Sequence, residues 1–388
     1  MDNHFVTVHI ITGLTTGGAE MMLYKLLSKI DRERFSPVVI SLMDRDPLGE
    51  RIEALGIPVY TLGMKQGSLP TPNMIGKLLK IVGEIKPDLI QGWMYHANLA
   101  AQLISILSLT FVPVIWNIRN CLYSLSYEKS GTVAVIKSLI PLSIFPTQII
   151  YNSHVAASQH EKLGYKVTKT ITIPNGFDTE VFHPSIEERN LMRKELSLPS
   201  DCFLIGRFAR YHPMKDYPNF IHGAAILLKE YPNVHFLLAG STVNVENQIL
   251  WQLIQELGIS ERIHLLGERQ NIPQLTASLD IASTSSSYGE AFPNVIGEAM
   301  SCGVPCVVTD VGDSAWIVSD TGKVVPPKNP EALAKAWQEL IDLGADGREA
   351  LGRAARARII ECFSLNSVVA DYERLYESAI AKKQNTGI

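Results

Sequence analysis

Cysteine is scarce in this chain, long apolar runs are missing, and neither sign of charge dominates. Five cysteines are scattered through 388 residues. Cys302 and Cys306 flank Gly303–Pro305 without a second pair, so neither a zinc site nor a disulfide framework emerges, and a reduced, cytoplasmic setting is expected. An uncharged stretch at 99–118 reads LAAQLISILSLTFVPVIWNI and is interrupted by Gln102, two serines and Pro113. It predicts a buried helix followed by a buried strand and not a membrane span. No basic segment precedes the first apolar run, MDNHFVTVHIITG, so no signal peptide is expected. The net charge is −4; residues 1–195 hold 19 Lys+Arg against 17 Asp+Glu, the remainder 16 against 22. Neither half is basic enough to make nucleic acid the main partner. The slightly positive first half suits a membrane surface or an anionic acceptor.

What is present is a two-fold alternation. A 46% hydrophobic, 19% charged composition describes a globular protein, and the length favours two domains. Short apolar runs at 6–11, 38–42, 59–62, 89–92, 112–116, 149–151 and 171–173 alternate with helical spacing at 21–30, 74–85 and 98–108. The pattern restarts near residue 203, with strands expected at 203–208, 235–239, 263–265, 281–283, 306–309 and 323–325. Helices are expected between them at 220–229, 249–257, 295–300 and 331–341. Fully apolar short strands separated by helices predict parallel sheets covered on both faces. The expected architecture is therefore α/β: two Rossmann-like, doubly wound domains facing a cleft, with ligands beyond the carboxyl ends of the strands.

Several stretches carry candidate chemistry. In SYGEAFPNVIGEAM, 287–300, Pro293 is expected as the first helical residue, with Gly303 and Pro305 ending the helix. Glu290 then lies in the preceding loop, and Glu298 about five residues, or ~8 Å, along the helix axis. Free amides near Asn294 and Val295 suit a diphosphate, with the carboxylates accepting from sugar and ribose hydroxyls; an ordinary exposed acidic rim is the plainer alternative. GRFARYHPMKD, 206–216, supplies Arg210 and Lys215 for an anion, whereas Arg207 sits closer to the strand and is expected to be structural. In GLTTGGAE, 13–20, Gly17 and Gly18 leave room for close backbone approach, although the spacing is neither the dinucleotide fingerprint nor a P-loop. GERQN, 267–271, places Arg269 after a strand, in position for a nucleobase. His96, in GWMYHANLAAQ, is expected at a strand end facing the cleft.

In combination these stretches resemble the family-4, group 1 retaining glycosyltransferases of the GT-B fold, the bacterial polysaccharide and glycolipid type. The segment 288–322 is similar to the family's E-x7-E region, ARYHPMKD to its Arg–Lys phosphate pair, TIPNGFDTEVFHP to the end of its first domain and TGLTTGGAE to its opening loop. The resemblance implies transfer of a sugar from a nucleoside-diphosphate donor, a UDP-sugar first, to a glycan or lipid-linked acceptor, with retention and without a bound metal or other cofactor. It implies Glu290 at the sugar, Glu298 at the ribose, Arg210 and Lys215 at the diphosphate, and His96 facing the reacting sugar. Gly17, Gly18, Phe292, Asn294, Val295 and Arg269 are the remaining donor-side candidates, and Arg119 and Asn120 the acceptor-side ones. Asp216 stands where the family commonly has glycine. DRD, with Asp44 and Asp46, looks like the D-x-D of metal-dependent sugar transferases but is read as a solvated turn and cap. The domains are expected at 1–190, completed by a returning helix at 364–385, and at 191–363, in a cytoplasmic protein with peripheral membrane contact. Rival readings are a nucleotide-sugar epimerase or phosphorylase on the same fold, and a non-catalytic sugar-nucleotide-binding subunit.

Overall fold

Runs of β-branched and aliphatic residues form thirteen strands among the described residues, all paired in parallel. The computed structural model describes residues 4–15, 17–65, 71–108, 112–199 and 202–386, with side chains in the last helix described as far as Lys383. Thr16 of the glycine-rich loop, residues 109–111 of the uncharged stretch and residues 200–201 before the second expected sheet lie outside that set.

The chain divides into two units, 1–176 with 365–388, and 177–364. In the first, β1 (Phe5–Ile11), β2 (Phe35–Ser41), β3 (Val59–Thr61), β4 (Leu89–Trp93), β5 (Val114–Ile118), β6 (Gln148–Tyr151) and β7 (Thr170–Thr172) align in the order β3-β2-β1-β4-β5-β6-β7. In the second, β8 (Phe203–Phe208), β9 (Val234–Ala239), β10 (Ile263–Leu265), β11 (Ile281–Ser283), β12 (Cys306–Thr309) and β13 (Gly322–Val325) run β10-β9-β8-β11-β12-β13. The strand order of each sheet reverses once, between β1 and β4 and between β8 and β11. Loops leaving such a reversal part to opposite faces and open a crevice for ligands.

The expected strands are all present, with ends shifted by up to three residues. Part of the uncharged stretch becomes the helix Met94–Leu107 and the strand β5, and no helix among the described residues is long and apolar enough to cross a membrane. The returning helix, Leu365–Thr386, buries Val368, Val369, Tyr372 and Tyr376 in the first unit's core. Tyr372 also accepts a hydrogen bond from Asn117 Nδ2 at 2.9 Å.

The domain boundary corrects the expected 190/191. It falls at Gly176/Phe177, because the helix Ile186–Glu195 is fastened to the second sheet. Arg189 and Arg193 donate to the two oxygens of Asp280 at 2.6 and 2.9 Å, and Asp280 also accepts from the Leu204 amide at 2.8 Å.

Candidate functional site

In the second unit, the loops after β8 and β11 leave the strand-order reversal side by side, and Lys215 and Glu290 meet there. The loop after β8 tightens into a turn of 3-10 helix, Pro213–Lys215, capped by His212 Nδ1, which accepts from the Met214 amide at 3.3 Å. Lys215 points its ammonium at Glu290 Oε1, and Ser286 Oγ donates to the same oxygen at 2.7 Å. The Lys215 and Glu290 side chains are 18% and 12% exposed, so the pair is sheltered but reachable. An ammonium has three donors, and Glu290 engages one of them, so the same lysine can still meet a phosphate. Arg210 is exposed on the same loop, and its charge adds to that of Lys215 in holding His212 below the usual imidazole range, behind the larger effect of burial.

Arg207, expected to be structural, braces the loop that carries Lys215. Its side chain is fully buried, donates to Ser285 Oγ and to the Lys215 carbonyl, and lies 4.2 Å over the Tyr217 ring. Ser285 Oγ in turn donates to the carbonyls of Lys215 and Asp216 at 3.1 and 2.8 Å. Two charge-assisted contacts and a ring therefore hold the backbone from which Lys215 projects. The available signals were an arginine inside an apolar strand and the serine run 285–287 directly after β11.

Asp216, the departure from the family's glycine, has φ +50 and ψ +60. This left-handed conformation is cheap for glycine and tolerated by aspartate. Its carboxylate recovers part of the cost by accepting from the Asn219 amide at 3.3 Å, capping the helix Tyr217–Leu227.

The Glu290 loop is clamped from two sides. Ser287 N donates to the Met214 carbonyl at 2.8 Å, and Asp313 N to the Ala291 carbonyl at 2.9 Å. Gly312, at φ +61, lies so close to the Glu290 carbonyl that a β-carbon there would collide with it. Pro293 is the residue preceding the helix Asn294–Ser301 and not its first residue, a shift of one. Its extended φ/ψ lets Glu290 approach from outside while the amides of Asn294 and Val295 open the helix. Glu298 lies half-buried on that helix. Phe292 faces inward, its ring among Phe177, Trp316 and Phe363, and so anchors the loop through the core. Arg269 engages Glu195 at 2.6 Å and Asn271 at 2.9 Å.

In the first unit, the loop after β1 and the start of the helix that follows β4 flank the corresponding reversal. Gly17 is extended at the entrance of the helix Gly18–Lys29, and a β-carbon on Gly18 would meet open space. The Glu20 carboxyl lies against Gly17, and burial raises its affinity for a proton. His96 was expected at a strand end; it belongs to the first turn of the helix Met94–Leu107, because the helix follows β4 without a loop. Met94 accomplishes that junction with φ +70, and its Sδ accepts from the Arg119 amide at 3.4 Å. His96 is half-buried, which depresses its pKa. Arg119 binds Asn117 Oδ1 at 3.3 Å, Tyr372 Oη at 3.0 Å and Asn175 Oδ1, beside the Trp93 ring. That network ties strand β5 to the returning helix, which leaves little of the guanidinium to meet an acceptor. Asn120 Nδ2 donates to Glu128 at 3.2 Å. Asp44 is exposed in the turn before the helix Asp46–Glu53, which Asp46 opens; neither caps it, since the preceding residue is Arg45, whose side chain makes no cap bond. Among the described residues, no three His, Cys, Asp or Glu side chains gather as a metal site.

Two doubly wound units, each carrying polar groups beyond its strand-order reversal, define a protein of the GT-B class. The description "Glycosyltransferase Family 4" matches residues 16–181, and "Glycosyl transferases group 1" matches 188–358. The chain belongs to this glycosyltransferase family. It is 25% identical over 219 residues to UDP-Gal:alpha-D-GlcNAc-diphosphoundecaprenol alpha-1,3-galactosyltransferase of Escherichia coli, a match covering 55% of this chain and 56% of that protein. It is 26% identical over 260 residues to N-acetyl-alpha-D-glucosaminyl L-malate synthase of Bacillus anthracis, covering 66% of each. These alignments thus span somewhat over half to just under two thirds of the two relatives. The crystal structure of Anabaena HepE in complex with UDP and glucose superposes with a TM-score of 0.82 at 23% identity, covering 97% of this chain and 100% of that one.

Proposed function

We propose that this chain is a retaining, metal-independent glycosyltransferase. It moves a sugar from a nucleoside-diphosphate donor to a glycan or lipid-linked acceptor in cell-surface polysaccharide or glycolipid assembly. The observation that carries the reading is the meeting of Lys215 and Glu290 beyond the β8/β11 reversal, beside the opening of the helix Asn294–Ser301. Arg210, Lys215 and the helix amides are the groups that would stabilise negative charge growing on the departing diphosphate, an electrostatic role that needs no covalent step. Glu290 would accept from sugar hydroxyls and Glu298 from the ribose, with His96 in the first unit on the sugar side. UDP is the first nucleotide to try, supported by the UDP and glucose named with the Anabaena structure and by the UDP-galactose donor in the E. coli relative's name. The lipid-linked acceptor has its support in the diphosphoundecaprenol of that same name, and peripheral contact with a membrane follows from such an acceptor.

The test is a binding panel of UDP, GDP, ADP, dTDP and CMP, followed by the sugar forms of each ligand that binds. Preference for one nucleoside diphosphate, strengthened by one sugar, supports the reading. Binding of none would return the two glutamates to an acidic rim.

A further inference from the structure

Each serine of the run 285–287, directly after β11, is tied down. Ser285 Oγ holds the carbonyls of Lys215 and Asp216, and the Ser287 amide donates to the Met214 carbonyl at 2.8 Å. Between them, the Ser286 carbonyl accepts from Oγ1 of Thr309, the last residue of β12, at 2.7 Å. Ser286 is 3% exposed and Thr309 is fully buried. The Ser286 hydroxyl is therefore carried on a backbone fixed from both sides, and it donates to Glu290 Oε1 at 2.7 Å.

That same oxygen takes the Lys215 ammonium, whereas Glu290 Oε2 accepts nothing from the described residues. The two donors differ in what they can enforce. An ammonium on a four-carbon stem is a point charge that follows either carboxylate oxygen as the group rotates. A serine hydroxyl has one proton to give, and one carbon separates it from its fixed backbone. Lys215 thus supplies the charge of the pair, and Ser286 decides which oxygen meets it. An ionised carboxylate has about four lone-pair sites, two on each oxygen, so Oε1 is filled and Oε2 keeps both of its own.

We propose that Ser286 is a positioning residue for the donor sugar: by pinning Oε1 of Glu290 it reserves Oε2 to accept from sugar hydroxyls. This role rests on the transferase reading and adds a selection rule to it. Oε2 can only accept, so the sugar must bring a hydroxyl or amide N–H to that place, and a sugar carboxylate there is repelled. Thr309 acts one step further back, through the Ser286 carbonyl.

Calorimetry on the full chain with UDP, UDP-glucose, UDP-galactose and UDP-N-acetylglucosamine tests it. Ser286→Ala should weaken the best-bound sugar form at least about fivefold and change UDP less than about twofold. Ser286→Thr keeps the hydroxyl and should return most of the lost affinity. Ser286→Cys, similar in size but a weak donor, should stay near Ser286→Ala. In a Glu290→Gln background, Ser286→Ala should add less than about twofold, because the two residues act as a unit. Equal weakening of UDP and its sugar form in Ser286→Ala would make the hydroxyl a support of the whole loop, and overturns the proposal. So do wild-type affinities in that variant, or full additivity with Glu290→Gln. UDP bound with none of the three sugar forms also overturns it, since Oε2 then gains no partner, but leaves the diphosphate contact standing. A wild type that binds none of the four removes the transferase reading and this role with it.

Discussion

Glu290 concentrates the chemistry of this site in one carboxylate. It accepts from Lys215 and Ser286, and it stands in the loop before the helix Asn294–Ser301. Glu290→Gln keeps the shape and removes the charge. Transfer should fall by about 100-fold or more, the scale of losing one oriented charge-stabilising group, while UDP binding changes little. Wild-type turnover in that variant, measured as sugar transferred per minute, would remove Glu290 from the reaction. Arg207 is one step further back: it touches no expected substrate atom but fixes the Lys215 carbonyl. Arg207→Met leaves that carbonyl and Ser285 short of a donor, at a cost of about 2 kcal/mol. It should also weaken UDP while sparing uridine, and Arg207→Lys should restore part of the UDP affinity. A stability loss with unchanged UDP affinity would make Arg207 merely a core residue.

At the scale of elements, the strand pattern was legible because fully buried parallel strands are short, apolar and bounded by turns. The helix Asn294–Ser301 was legible for a different reason, since Pro293 and Gly303 punctuate it at both ends. The domain boundary was not. Helix Ile186–Glu195 carries six charged residues among its ten, and its allegiance depends on Asp280, about ninety residues away, which no local pattern reveals. Phe292 and Arg119 show the same limit. An aromatic in a loop and an arginine after a strand suggest ligand contact, yet the first is held by three distant aromatic rings and the second by Tyr372 and Asn175. Gly297 illustrates how tightly the site helix is seated. A β-carbon there would collide with the Phe177 ring. Gly297→Ala should therefore cost about 2 kcal/mol by overpacking and lower Tm by roughly 4–8 °C. An unchanged Tm would mean that Phe177 yields freely.

At the scale of the whole molecule, two buried histidines and a half-buried one give the chain a common response to acid. Burial lowers the pKa of His9 to about 3, and of His160 and His264 to about 4. His160 is held neutral between Tyr95 Oη at 2.9 Å and the Ala156 carbonyl at 2.7 Å, and His9 accepts from Trp93 Nε1 at 3.3 Å. In the unfolded chain each takes up a proton as pH falls through about 6.5, but the folded chain resists until about 3–4. The stability that their neutral state contributes is thus present above pH 6.5 and is lost on acidification toward 4. Each of the two first-unit histidines accounts for on the order of 2 kcal/mol by pH 5. Tm should fall between pH 7 and pH 5, and His160→Gln should flatten that fall even if it lowers Tm at pH 7. A pH-independent Tm over that range would contradict the buried, neutral assignment.

Whether Lys215 and its neighbours bind a diphosphate is decided by titrating UDP and uridine into wild type and Lys215→Ala. The variant should lose at least tenfold in UDP affinity while uridine binds both proteins alike. Equal losses for UDP and uridine, or none for either, would contradict that role.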